Sequence, residues 1–363
     1  MIRFRTGKVV AVVEERPGAV ELEVEVEGSA GRAIAYPGLT GPVAEGDRVL
    51  LNTTAVALGL GTGGYHFVVA VEGQQDLDPA AAGHVLKLRY TPLQAKVLAA
   101  EEQGSSHRER IERSEGLAGR PVVWVPLHSM LGAAAAGAKA AGAERVAYVM
   151  TDGAALPMAL SRQVERLRRE GLLDAVITAG QAFGGDVEAV TTFTGLLAAK
   201  EVAQADVIVV GDGPGKVGTA TRYGATDVES GLSLLVAHIL GGRPVAALRL
   251  NFADPSYRHH VVSPHSLTVL AEVALVPVHV AVPRLEGTAR EAVWAALTDR
   301  GLPDRHQLVE VTGQPALDLL AELGVEADTM GRRLAEDPAF FLAAGAAGVL
   351  AGRMSAGDRA WRT

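Results

Sequence analysis

The 363-residue chain contains no cysteine. That absence excludes disulfides, thiolate nucleophiles and cysteine-ligated metals together, and it fits a reducing compartment. Aromatic side chains are scarce, at 4%, and basic residues are the minority charge, 34 against 42 acidic ones for a formal charge of −8. An acidic chain poor in stacking side chains lacks the footprint that phosphate-backbone binding needs, so no nucleic acid is expected as the main partner. Long hydrophobic runs are also missing. The most apolar stretches, residues 131–142 and 340–352, are Ala/Gly-rich and shorter than the roughly 20 apolar residues a bilayer span takes. No apolar leader follows Met1-Ile2-Arg3-Phe4-Arg5, so the sequence reads as neither exported nor membrane-spanning, and a cytoplasmic setting is expected. What is abundant is ordinary core material. Hydrophobic residues make up 48% of a chain long enough for two domains.

Over residues 1–75 the apolar positions alternate. Residues 20–26 read Val-Glu-Leu-Glu-Val-Glu-Val, and residues 8–13, 33–36, 48–52 and 66–71 carry similar strand patterning between Gly and Pro turns. Short strands punctuated in this way predict a small β-barrel or sandwich. Residues 76–120 read as a connecting segment with a helix, for which Thr91-Pro92 is a start signal and along which Lys87 and Arg89 share one face. From 121 to 363 the texture changes to continuous Val/Ile/Leu runs alternating with segments of helical spacing, such as 156–170 and 187–202. That alternation predicts an α/β domain, a mostly parallel sheet with helices on both faces. Asp186, the capping-box pattern at 226–229 and Ser263-Pro264 mark expected helix starts.

In such a sheet the ligand site lies beyond the carboxyl ends of the strands, where the strand order switches. The strand exits here are polar or glycine-rich. They offer His128-Ser129, then Thr151-Asp152-Gly153, then the Gln181 loop, then Gly211-Asp212-Gly213-Pro214-Gly215-Lys216-Val217-Gly218-Thr219, and last Asn251 with Asp254. The glycine loop is the most specific of these. Four glycines in eight residues permit close backbone approach, and Lys216 with Arg222 adds positive charge. Its spacing is one residue short of a P-loop, and Val217 stands where a magnesium-binding hydroxyl belongs. Gly213, Gly215 and Gly218 match a dinucleotide fingerprint, but the next helix start comes only at Thr226.

Ligand binding is therefore assigned to Gly213, Gly215, Lys216, Gly218, Thr219, Arg222, Asn251, His128 and Gln181. Proton transfer is assigned to His259 with Asp254 or Asp152. Histidines 259, 260 and 265 lack the one-turn spacing of a zinc helix, so no metal site is assigned. Adjacent residues in extended chain point apart, which argues against a local His128-Ser129 dyad.

The stretches 211–224 and 242–255, together with Gly46-Asp47-Arg48-Val49-Leu50-Leu51-Asn52, resemble an uncharacterised bacterial family, a domain of unknown function (DUF3866). The resemblance covers the whole chain and implies a bacterial, cytoplasmic setting. It supplies no activity, cofactor or catalytic residue.

The function expected from these residues is that of an enzyme or binding protein for an anionic small molecule, phosphate- or carboxylate-bearing, at the carboxyl edge of the α/β sheet. Two alternatives stand beside it: a non-enzymatic, metabolite-sensing or partner-binding protein, and a metal-dependent hydrolase built on Asp152, Asp212, Asp254 and His259 or His260. The small residues of 340–352 suit either a homo-oligomer contact or burial within one chain.

Overall fold

The computed structural model describes residues 2–60, 63–74, 77–79, 82–219, 221–253 and 261–357. The chain divides into two units, Met1–Leu98 and Ala99–Thr363.

In the first unit five strands close a barrel: β1 (Phe4–Arg16), β2 (Ala19–Val26), β3 (Ser29–Ala35), β4 (Arg48–Asn52) and β5 (Tyr65–Val71). Their spatial order is β1-β2-β3-β5-β4, with β4 returning to pair with β1, so no edge is left open. Strand β2 shows how the sequence makes the wall. Val20, Leu22, Val24 and Val26 are buried, while Glu23 and Glu25 face water. Glu21 breaks the alternation and is buried too, held by Arg16 at 3.1 Å and by the Tyr65 hydroxyl at 2.7 Å.

The helix expected at Thr91-Pro92 is not there. A hairpin of β6 (Val85–Lys87) and β7 (Ala95–Val97) stands in its place. Leu88 and Tyr90 adopt positive φ, and the Thr91 hydroxyl closes the turn onto the Leu88 carbonyl at 2.8 Å. A proline that fits the first helical position fits a tight turn equally well.

The second unit holds an eight-stranded sheet in which every pair is parallel. Its strands are β8 (Pro121–Trp124), β9 (Val146–Thr151), β10 (Ala175–Thr178), β11 (Val187–Glu188), β12 (Val207–Asp212), β13 (Arg243–Ala247), β16 (His279–Pro283) and β17 (Gln307–Val311); β14 (Leu250–Asn251) and β15 (Val261–Val262) form a separate antiparallel ribbon just past β13. Every residue of β8, β9, β10 and β12 is buried, as expected of strands covered on both sides. Alternate residues feed two cores. Val123, Tyr148, Met150 and Val209 pack beneath helices Leu131–Ala140, Arg162–Arg169, Gln314–Glu322 and Pro338–Ser355. Val122, Trp124, Val149 and Val210 pack beneath helices Thr192–Glu201, Thr226–Ser230, Ser233–Ile239 and Gly287–Thr298.

Two expected helix starts move. Asp186 precedes the short strand β11, and the helix begins later, capped by Thr191 in a reciprocal box with Thr194. Thr226 is the first residue of its helix, while Ala225 occupies the cap without a side-chain bond. Ser263-Pro264 starts its helix with proline in the first turn. The apolar run 340–352 belongs to a longer helix, Pro338–Ser355, of a length and composition that would cross a membrane, but 78% of it is buried inside the protein. Its glycines serve close packing. An added Cβ on Gly348 would sit 2.0 Å from the Ala134 carbonyl oxygen.

The sheet order is β11-β10-β9-β12-β8-β13-β16-β17. Strand β12 thus lies between β9 and β8. Its outgoing chain leads to helices on one face, whereas the chains leaving β8 and β9 lead to helices on the other. The connections diverge at the carboxyl end of β12, the position at which a sheet of this kind offers a ligand site.

Candidate functional site

Strand β12 runs through Gly211 and Asp212, two residues further than the glycine loop read from the sequence, pairing them with Met150 and Thr151. Gly211 is needed because a Cβ there would lie 2.7 Å from the Val125 carbonyl oxygen, and at Gly213 it would meet that of Ala155 at 2.8 Å. Gly215 alone of the four loop glycines turns through positive φ, at 88°.

Asp212 is 7% exposed. Its Oδ1 accepts from the Thr151 hydroxyl at 2.6 Å and the Gly153 amide at 3.2 Å. Its buried Oδ2 has no hydrogen bond of ordinary geometry among the described residues, although the Thr226 hydroxyl lies close enough to favour the charge. Burial pushes its carboxyl pKa up, the Thr151 and Gly153 bonds oppose that rise, and the negative charge of Asp227 adds to it. Asp227 is fully buried in helix Thr226–Ser230 and forms an ion pair with Lys216. Neither Asp227 oxygen has a hydrogen bond of ordinary geometry, so the pair rests on charge. The Lys216 side chain is 11% exposed, and burial pulls its ammonium pKa down against the pull of Asp227. Arg249, 6% exposed, and Asp212 lie close enough to act on the same ammonium. Four charged groups, two of each sign, are therefore gathered at the end of β12. Lone charges are almost never buried in this way.

The other candidates scatter. Asn251 is buried at the same edge, where its Oδ1 accepts from the Ala253 amide at 3.2 Å. Gly218 bridges to Ala225. Thr219 is exposed and bonds Thr221 and the Gly224 carbonyl. Arg222 is exposed and turns away from Lys216 to pair with Glu272, which Tyr223 also contacts. Asp152 is exposed and accepts from the backbone amide of Gln181 at 2.8 Å, next to Gly180. Asp254 and His259, along with His260, lie outside the described residues. Among the described residues no three His, Asp or Glu side chains gather as a ligand set for a metal.

His128 sits in a 3-10 turn rather than in extended chain, and it still points away from Ser129, which bonds Thr329 at 3.0 Å. Its Nε2 lies 2.6 Å from the Ser161 hydroxyl, and its Nδ1 lies 3.3 Å from that of Tyr148. Burial pulls the imidazole pKa down to about 4 and pushes the Tyr148 phenol well up.

Sequence reading missed Asp227, Arg249, Tyr148 and Ser161. Asp227 was visible only as part of a capping pattern. The others carry no local signal, since their partners lie tens of residues away and meet only through the strand order.

No curated protein and no solved structure matches the chain. The model of one family, described as a protein of unknown function (DUF3866), matches residues 32–348, and the chain belongs to that family.

Proposed function

We propose that the protein binds a small anionic molecule, phosphate- or carboxylate-bearing, at the carboxyl edge of the sheet over β12. The observation that carries the reading is the buried quartet Asp212, Lys216, Asp227 and Arg249 at the point where the connections diverge. Buried charge of this kind clusters at ligand and catalytic sites. An incoming anion competes with Asp227 for Lys216, with the positive charge of Arg249 nearby, while open space at Gly215 permits close backbone approach. Asp212 is the group that would repel it. Burial raises that carboxyl above its ordinary value, so the proton uptake that removes the repulsion begins at a higher pH than it would for a free carboxyl. Anion affinity is accordingly expected to strengthen as pH falls. The lack of cysteine supports a reducing, cytoplasmic setting for this reading.

Thermal unfolding with inorganic phosphate, sugar phosphates, nucleotides and di- and tricarboxylates is the test. A ligand at 100 times its Kd stabilises by about 2.7 kcal/mol, which is several degrees in midpoint. The double variant Lys216→Met/Asp227→Leu removes the pair without stranding either charge and abolishes the shift. If none of these anions raises the midpoint of the parent, the reading fails.

A further inference from the structure

The Ser161–His128–Tyr148 chain plays no part in the anion reading, and its hydrogen positions follow from its neighbours. Tyr148 donates its hydroxyl hydrogen to the carbonyls of Gly211 and Asp212, at 3.1 and 2.8 Å. Toward His128 that oxygen can then only accept. The Asp212 carbonyl, which helps hold the protonated ring, also only accepts. The phenol oxygen at 3.3 Å from Nδ1 therefore calls for a hydrogen on that nitrogen. In the neutral ring Nε2 is bare, and the Ser161 hydroxyl donates to it across 2.6 Å. A serine hydroxyl aimed at an imidazole whose tautomer is fixed by a third group is the arrangement that activates serine for attack. The Val164 amide, in the first turn of helix Arg162–Arg169, donates to the same Oγ at 3.1 Å and steadies it as the proton leaves.

We propose that Ser161 is a nucleophile, with His128 as its base and Tyr148 as the positioning residue, acting on small carboxylic esters. Ser161 is 4% exposed, which restricts access to a short acyl group. In the step, Oγ bonds to the acyl carbon, its proton passes to Nε2 and the carbonyl pair moves to oxygen. Collapse expels the alcohol, which leaves with that proton. Water then attacks the acyl-serine with His128 again as base, releasing the carboxylic acid and restoring Ser161. Because burial draws the imidazole down to about 4, it stays neutral to unusually low pH. The acylation rate is flat from pH 8 to 5 and falls only below that.

The experiment incubates the full chain with p-nitrophenyl acetate and maps the acetyl group by peptide mass. The expected result is acetylation at Ser161, slowed on the order of 100-fold or more in His128→Gln. Circular dichroism confirms that the variant is folded. Tyr148→Phe slows acetylation less and moves its pH profile, and Ser161→Ala is not acetylated at that peptide. The proposal is overturned if the parent carries no acetyl at Ser161, or if folded His128→Gln is acetylated there at the parent's rate. No anion enters the assay, so this outcome and that of the anion screen are independent.

Discussion

Each unit buries one ion pair of note, and the two are built differently. In the barrel, Arg16 and Glu21 are 3% and 5% exposed, and both carboxylate oxygens of Glu21 are engaged, one by Arg16 and one by the Tyr65 hydroxyl. In the α/β unit, Lys216 and Asp227 are comparably buried, but Asp227 has no hydrogen bond of ordinary geometry to complete its shell. Removing two charges from water is repaid only when geometry and additional hydrogen bonds are good. The barrel pair comes nearer to that condition, since both oxygens of its carboxylate are engaged, whereas those of Asp227 are not. The two pairs therefore differ in how fully the acidic partner is satisfied.

The largest expected effect tests that contrast directly. Asp227→Asn strands a buried ammonium near Arg249 and destabilises the chain by about 3–5 kcal/mol, whereas Lys216→Met/Asp227→Leu restores most or all of the loss. Urea unfolding measures both. A double variant as unstable as the single one would make the two pairs alike and end the comparison.

Acid is the next lever. The folded pKa of His128 is about 4, below the ordinary 6.5, so the unfolded chain binds the proton more readily. The contribution is complete above pH 6.5 and is lost as pH falls toward 4, up to about 3 kcal/mol in all. Unfolding midpoints at pH 7 and pH 4.5 give the slope, and His128→Gln flattens it. Burial lowers His66 in the barrel and His306 in the α/β unit as well, so a residual slope from these two remains in that variant.

Tyr65→Phe leaves one oxygen of Glu21 without its phenol and is expected to destabilise by about 2 kcal/mol. A negligible change would mean that the barrel pair is no better satisfied than its counterpart. Arg222→Ala stands at the small end. The guanidinium is exposed and paired with Glu272 at the surface, so neither the unfolding midpoint nor any anion-induced shift should move.

Much of the architecture was legible in residue order. The Val-Glu-Leu-Glu-Val-Glu-Val run announces a wall with one wet face, and the continuous runs at β9 and β12 announce strands covered on both sides. What residue order hides is adjacency. That β12 is inserted between β9 and β8 is a tertiary fact, and it alone brings Thr151 to Asp212 and Tyr148 to the Asp212 carbonyl. Lys216 and Arg222 looked equivalent in the sequence, yet one is turned inward to Asp227 and the other outward to Glu272. Ser161 caps helix Arg162–Arg169 in the structure, and nothing nearby in sequence announces the imidazole that meets it from 33 residues away.

The helix Pro338–Ser355 packs against helices Leu131–Ala140 and Gln314–Glu322 and lies across strands β8, β13, β16 and β17. The part of that face over β8, β13, β16 and β17 therefore waits until residue 355 has emerged before this helix can cover it. The barrel, whose strands are all complete by residue 71, can form during synthesis. The α/β unit spends that interval with greasy strands uncovered, which makes translation speed and holdase capture determinants of its yield.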